Sequence, residues 1–196
     1  QQMDQKQTYM QIQNTLILTH TTISRELIED IQMSEIFNII APFVTSIEDN
    51  AFEEQRAIRY VYMPMLTQVA DFSFRCCENI RLIEANNLEI LGAGAFGSNY
   101  NLSQINIKNV EQLQDNVFEF CSFSIIDSNC NSIANSLEGN LQLERLNLSN
   151  ITEFDTAVIC ECENLKQIRM PKLENLIGNL PDHIQVTVDS SDVLKK

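Results

Sequence analysis

The sequence contains few of the residues from which most enzyme sites are built. Its 196 residues include five glycines, four prolines and two histidines. So few glycines and histidines leave little material for phosphate-binding loops or for imidazole chemistry. The composition therefore argues against most classes of enzyme, and we predict neither an enzymatic activity nor a cofactor.

Basic residues and long apolar runs are also scarce. The chain has 13 Lys and Arg against 27 Asp and Glu, a formal net charge of −14. This acidic excess repels nucleic acid phosphates and anionic membrane surfaces, so no nucleic acid partner is expected. No run approaches the roughly 18 consecutive apolar residues that span a bilayer, so membrane insertion is not expected. The opening QQMDQKQTYM shows no secretory signal peptide.

The main feature that the sequence does have is a 22-residue internal repeat. Phe52, Phe74, Phe96 and Phe118 follow one another at this constant step. Apolar residues also recur every 22 residues at four other positions of the unit. Two of these positions lie eight and five residues before each Phe, and two lie six and nine residues after each of the first three Phe residues. A unit of this length cannot bury its apolar face alone, so neighbouring units must stack and share a core. The repeat predicts a single solenoid domain.

One unit is shorter than the others. Only 19 residues separate Phe118 from Leu137, and Ser124 and Asp127 fall where apolar anchors should be. Three single-residue deletions restore the frame. The anchors of this unit then become Phe123, Ile126, Cys130, Ile133 and Leu137.

Each unit divides into two segments of different character. The segment after the Phe, such as LSQINIK at 102–108, has the alternation of a short strand with apolar inward positions. The segment before the next Phe, such as LEILGAGAF at 88–96, has apolar residues three apart. This spacing suits a bend with a short helical or irregular turn.

The combined pattern closely resembles the BspA-like leucine-rich repeat, in which L-x-x-I-x-M-P precedes a V-x-x-I-x-x-x-A-F bend and an F-x-x-C element. The residues that carry the likeness are Ala51, Phe52, Phe74, Cys77, Ala95, Phe96, Phe118, Cys121, Pro42, Pro64 and Pro171. The resemblance implies a protein-binding surface or scaffold protein without common catalytic residues.

The predicted fold is a leucine-rich-repeat solenoid, a right-handed β/α superhelix of about seven or eight rungs. Its short strands form a parallel concave sheet, and bends and short helical turns lie on the convex side. We assign residues 30–188 to the repeat domain. Residues 1–29 are an N-terminal cap or incomplete repeat, and residues 189–196 are a C-terminal tail.

Six cysteines could form disulfides or bind a metal, but their spacing argues against both. Cys77, Cys121 and Cys162 occupy the same place in units two rungs apart. At about 4.8 Å per rung they lie about 10 Å apart, beyond the roughly 7 Å limit for a disulfide. Cys160 and Cys162 lack the C-x-x-C spacing of structural zinc sites. We predict six reduced, buried structural thiols and no metal.

The candidate binding residues are the outward positions of the strands, which project from the concave sheet into solvent. This strip carries five basic and three acidic residues, so its charge is +2 while the rest of the chain carries −16. The predicted protein-binding residues are Phe37, Ile40, Arg59, Tyr60, Tyr62, Arg81, Leu82, Glu84, Gln104, Asn106, Glu144, Arg145, Lys166 and Arg169.

Aromatic and aliphatic residues concentrate in the first three rungs of the strip, and Tyr and Arg are favoured in binding hot spots. A competing interpretation is that the N-terminal segment covers these residues or that the local register differs. We predict a non-enzymatic scaffold that binds a protein of acidic or mixed charge, in the cytoplasm. The alternative is an exported adhesin or structural component of a larger assembly, at the cell surface or secreted. The oligomeric state is not predicted.

Overall fold

The chain coils into a solenoid of about eight turns, with about 22 residues in each turn, in the computed structural model. The structure describes residues 9–189. Part of the predicted cap, residues 1–8, and all but the first residue of the predicted tail lie outside the described residues. The strands are β1 (Tyr9–Ile12), β2 (Thr15–Leu18), β3 (Thr22–Ile23), β4 (Asn38–Ile40), β5 (Ser46–Ile47), β6 (Tyr60–Tyr62), β7 (Gln68–Val69), β8 (Leu82–Glu84), β9 (Ile90–Leu91), β10 (Gln104–Ile105), β11 (Gln112–Leu113), β12 (Ile125–Ser128), β13 (Ser132–Ile133), β14 (Arg145–Leu148), β15 (Glu153–Asp155), β16 (Gln167–Arg169), β17 (Asn175–Ile177) and β18 (Gln185–Thr187).

The first strand of each turn belongs to what we call the concave sheet. Its strands pair in the orders β1-β2-β4-β6-β8-β10 and β12-β14-β16-β18. All of these pairs are parallel except β1 with β2, which form an antiparallel hairpin. Tyr60 pairs with Leu82 and Leu82 with Gln104, so the register advances by the predicted repeat length. The predicted strands and the solenoid fold are therefore confirmed.

A second set of short parallel strands, the rear sheet, follows the bend of each turn, in the orders β3-β5-β7-β9, β11-β13 and β15-β17. Helix in the described chain is confined to α1 (Arg25–Ile28) and two 3-10 segments, Met33–Glu35 and Thr156–Ile159. The helical turns expected here are mostly absent, because the backbone bonds to the neighbouring turn: Gly92 N donates to Val69 O at 2.8 Å. The three-residue apolar spacing reflects a tight bend.

The four phenylalanines of the 22-residue series form a stacked column in the core. Phe52, Phe74, Phe96 and Phe118 are fully buried, and successive ring centroids lie 5.0, 5.4 and 5.7 Å apart. Two residues before and two after each ring, the backbone is left-handed, at Asn50, Glu54, Phe72, Cys76, Gly94, Ser98, Asn116 and Phe120. With left-handed residues at these positions, every second backbone N–H points to the next turn. Phe74 N, for example, donates to Ala95 O at 2.8 Å.

The shortened unit folds in the repaired frame. Ile133 pairs with Leu113 in the rear sheet and Ile126 pairs with Leu146 in the concave sheet. Phe123 is buried and packs its ring edge-on against Phe118, with centroids 5.2 Å apart. The deletions inferred from the sequence therefore place these residues correctly.

The shortening leaves a break in the concave sheet. No strand pairing joins β10 to β12. The gap is a cavity of about 240 Å³ whose lining includes Ile105, Phe123 and Ile125. Because this turn is shorter, its strand does not reach hydrogen-bonding register with the preceding one.

Candidate protein-binding face

All the predicted binding residues lie on the outer side of the concave sheet, which we call the concave face. Each is on a strand or one residue outside it, and none is buried. The intervening side chains, such as Ile39, Val61 and Ile83, point inward and are buried. Strand alternation places the residues within the strands, such as Tyr60 and Tyr62, on the side opposite to Val61. The predicted residues that precede their strands by one position are assigned to this face by their exposure and not by alternation, and they are Phe37, Arg59, Arg81, Glu144 and Lys166.

The aromatic end of the concave face is contiguous. We define the aromatic patch as Phe37, Ile40, Tyr60, Tyr62 and Leu82. The 22-residue register places Ile40 opposite Tyr62 and Tyr60 opposite Leu82 on neighbouring strands. Partial burial and the adjacent Glu84 carboxylate raise the pKa of Tyr60.

The N-terminal hairpin enlarges this patch. Met10 on β1 pairs with Ile17 on β2, and Ile17 pairs with Ile40. Met10 and Ile12 are 57% and 53% exposed. Strands β1 and β2 form the edge of the concave sheet and β3 the edge of the rear sheet, so these strands extend the sheets beside the patch and do not lie across it.

The sequence analysis missed Met10, Ile12 and Ile17 because it took the N-terminal segment as weakly patterned. The sequence nevertheless contains the pattern of a β-hairpin. Two runs with alternating apolar residues, YMQI and TLIL, flank the two residues Gln13 and Asn14, and Gln13 has a φ of 53°. Two-residue connections of this kind are typical of β-hairpins.

The charged residues of the face differ in their partners. Lys166 Nζ lies 2.8 Å from Glu144 Oε1, and this hydrogen bond lowers the pKa of Glu144. The Arg59 guanidinium lies over the Phe37 ring, 4.2 Å from its centroid. The arginines of the face with no carboxylate within 4.0 Å among residues 9–189 are Arg59, Arg81, Arg145 and Arg169.

The cysteines lie away from the concave face. Cys77, Cys121 and Cys162 are buried, and each sulfur contacts a backbone oxygen of the preceding turn, as in Cys77 to Phe52 O at 2.9 Å. Burial raises the pKa of Cys162 to about 11 and raises that of the other two further.

All six thiols are unpaired in the structure, but the prediction that all six are buried is wrong for two. Cys76 is partly exposed because it occupies a left-handed turn position. Cys160 is exposed where the second 3-10 segment ends. Within residues 9–189, no three His, Cys, Asp or Glu side chains are grouped to hold a metal ion.

Membrane insertion has no support in the helices. Over the part of the chain that the structure describes, no helix is long and apolar enough to cross a bilayer.

Stacked parallel turns around a continuous apolar core, with an exposed strand face, define the chain as a solenoid repeat protein. It belongs to the BspA type leucine-rich repeat family, because residues 21–137 and 124–180 match the BspA type leucine rich repeat region in six copies. The resemblance inferred from the sequence is therefore confirmed.

Two crystal structures share this fold. One is a leucine rich cell surface protein from Faecalibacterium prausnitzii, with a TM-score of 0.52 and 13% identity over 88% of this chain and 75% of that one. The other is a leucine rich repeat protein of T. pallidum, with a TM-score of 0.55 and 16% identity over 91% of this chain and 81% of that one. No curated protein is significantly similar in sequence.

Proposed function

We propose that this protein is a non-enzymatic scaffold that binds another protein through its concave face. The observation that carries the proposal is the aromatic patch, whose side chains are partly exposed and continuous with the exposed Met10 and with Ile17 of the hairpin. Contiguous exposed apolar surface is unusual on a soluble domain unless it binds something. The repeat fold supports the same role, because stacked strands form an extended binding surface.

Binding energy on this face should come mainly from the aromatic patch. Desolvated Tyr and Arg anchors contribute about 2 kcal/mol or more each in measured interfaces, whereas an exposed ion pair contributes at most about 1 kcal/mol. Tyr60 and Tyr62 lie on one strand, and the Arg59 guanidinium is held beside them by the Phe37 ring. This arrangement needs little further ordering when a partner binds.

For the site of action, we propose the cell surface in preference to the cytoplasm. The support is the structurally similar Faecalibacterium prausnitzii protein, which is described as a cell surface protein. Protease treatment of intact cells, followed by detection of the chain, tests this. Digestion without lysis supports a surface role, whereas protection until lysis supports the cytoplasm.

Affinity purification with matched variants tests the binding proposal. The wild-type chain and Tyr60→Ala with Tyr62→Ala serve as baits, and retained proteins are identified by mass spectrometry. The control is Phe43→Ala with Met65→Ala, which removes two apolar side chains, 54% and 50% exposed, at the bends after the concave strands.

A protein retained by wild type and the control but lost from the tyrosine variant supports the proposal, provided that circular dichroism shows all three baits folded. If the tyrosine variant retains every protein that the wild type retains, the aromatic patch is not the binding site.

A further inference from the structure

We propose that the concave face recognises an extended acidic segment of its protein partner that also carries large apolar side chains. This inference rests on the proposed function and specifies the chemistry of the partner. It is carried by the arginines Arg59, Arg81, Arg145 and Arg169, which share one face and have no carboxylate partner within residues 9–189.

The arginines elsewhere on the described chain behave differently. Arg25 and Arg75 each lie within 4.0 Å of Glu53, and Arg56 lies 3.4 Å from Glu78. In a chain with 27 acidic residues, an arginine readily finds an internal carboxylate. The four arginines of the concave face therefore have no direct ion pair among residues 9–189, although the charge of Arg145 acts on the neighbouring Glu144.

Carboxylates match these arginines chemically. A guanidinium presents its N–H donors in a planar fork that binds a carboxylate through two hydrogen bonds. Arg59 is already oriented by its contact with Phe37, and Arg81 follows it on the next rung, where its N donates to Arg59 O at 2.9 Å. The pair thus offers two adjacent carboxylate sites beside the aromatic patch.

The positions of these arginines and of the aromatic patch also set the length of the bound segment and which of its ends meets apolar surface. Ladder spacing of about 4.8 Å over five rungs puts the strand that follows Arg59 and the strand that carries Arg169 roughly 24 Å apart. The unpaired step from β10 to β12 makes this a lower bound, so an extended segment needs at least about seven or eight residues to cover it. Apolar contacts are available at the β1 to β8 end, beside Arg59 and Arg81. At the other end, Arg145 pairs with the exposed Ile125 on one side, and the next strand positions are the polar Gln167 and Gln185.

A nucleic acid could also present anions to these arginines, but it suits the face poorly. The phosphates of a polynucleotide would extend their charge over a body that carries −16 outside the strip. A short acidic segment with apolar residues confines its charge to the arginines and uses the aromatic patch. We therefore infer a peptide and treat nucleic acid as an outcome of the test.

The test uses the full chain and a fluorescent random copolymer of glutamate and tyrosine about eight residues long, the length inferred above, measured by fluorescence anisotropy. Polyglutamate, an uncharged serine and tyrosine copolymer, and a single-stranded oligodeoxynucleotide, all of the same length, are the comparison probes. We expect the glutamate and tyrosine copolymer to bind at least tenfold more tightly than each of the other three.

Two charge-matched variants locate the binding. Arg59→Glu with Arg81→Glu should weaken binding of the copolymer at least tenfold. Arg56→Glu with Arg75→Glu changes the net charge equally but removes arginines that already have carboxylate partners. It should change binding less than twofold, with both variants folded by circular dichroism.

Three results would overturn the inference: no binding of the copolymer, equal loss in the two variants, or binding of the oligodeoxynucleotide that is as tight. Each of these leaves the proposed function separately testable. If a purified protein partner still depends on Tyr60 and Tyr62, the scaffold role stands and only the acidic character of the partner is wrong.

Discussion

At the residue scale, one repeated side-chain contact links successive turns. The residues three positions after each anchor contact the backbone oxygen of the preceding anchor, and they are Cys77, Asn99, Cys121, Asn140 and Cys162. Both cysteine and asparagine side chains can donate this bond. The position therefore accepts either donor and does not require a thiol in particular.

The stacked phenylalanines lead to a prediction about stability. Phe96→Ala should lower the free energy of unfolding by about 3–5 kcal/mol, because it leaves a cavity between two stacked rings. Tyr100→Ala, at a 54% exposed residue, is the control and should change it by less than about 0.5 kcal/mol. Urea unfolding measures both. A cost for Phe96→Ala below about 1 kcal/mol would contradict the role of the column.

The buried thiols predict a loss of stability at alkaline pH. Cys162 has a pKa of about 11 in the fold, whereas an unfolded cysteine titrates near about 8.5. Above that pH the unfolded chain loses a proton that the folded chain keeps, so the free energy of unfolding falls as pH rises. The slope approaches about 1.4 kcal/mol per pH unit for each such thiol until the folded pKa is reached.

The substitution Cys162→Asn isolates the contribution of this thiol to the pH dependence of stability. Cys162→Asn places at this position the donor that Asn99 and Asn140 already supply in other units, and it removes one titrating group. Between pH 9 and pH 10.5 its stability, measured by urea unfolding, should fall less steeply than that of the wild type. Parallel curves would show that Cys162 does not titrate as its burial implies.

At the element scale, the break between β10 and β12 is the weakest part of the concave sheet. Arg145 N points back to Ser124 O at 3.2 Å, and alternate amides of a parallel strand face the same neighbour. Ile125 and Asp127 are in register with Arg145 and Asn147, so their amides face the break. Strand β10 does not pair with β12, so these two amides have no ladder partner there.

Hydrogen exchange can test this directly. We expect the amide of Ile125 to exchange at least tenfold faster than that of Arg145, its counterpart on the next strand, because only the latter has a ladder partner. Exchange of the two amides is measured by NMR under native conditions. Equal protection of Ile125 and Arg145 would mean that β10 and β12 pair in solution.

At the scale of the whole molecule, basic side chains extend along the whole concave face, whereas the aromatic patch occupies only one end of it. The body is acidic, the unpartnered arginines lie along the strands, and the aromatic patch occupies the N-terminal end. Lys166 is less available than the sequence suggested, because Glu144 binds it. Long-range attraction of a partner should therefore depend on the four arginines, and Arg145 and Arg169 are the two that lie away from the aromatic patch.

This separation predicts different kinetics for two variants against a purified protein partner. Arg145→Glu with Arg169→Glu should mainly lower the association rate and its dependence on salt. Tyr60→Ala with Tyr62→Ala should mainly raise the dissociation rate, because it removes short-range apolar contact. Surface plasmon resonance at two salt concentrations separates the rates. If both variants bind like the wild type, the concave face does not carry the interaction.

The repeat length, the core positions and the outward strip were all predictable from the sequence alone. A 22-residue period with apolar anchors has one physical solution, a stack in which each unit buries its neighbour's face. The position of Phe96 between its neighbours and the outward direction of Tyr60 both follow from that period. The shortened unit was also predictable, because the deletions place the apolar Phe123 and Ile126 at anchor positions where the regular spacing would place the polar Ser124 and Asp127.

Other features depended on contacts between turns, which the period does not specify. Backbone hydrogen bonds to neighbouring turns converted the expected helical bends into the rear sheet. The hairpin of β1 and β2 brought Met10 beside the aromatic patch, although β1 lies outside the 22-residue frame. The partners of each arginine were likewise decided by the fold: which carboxylates lie within reach of Arg59 or Arg75 depends on how turns stack in space, and spacing along the chain does not encode it.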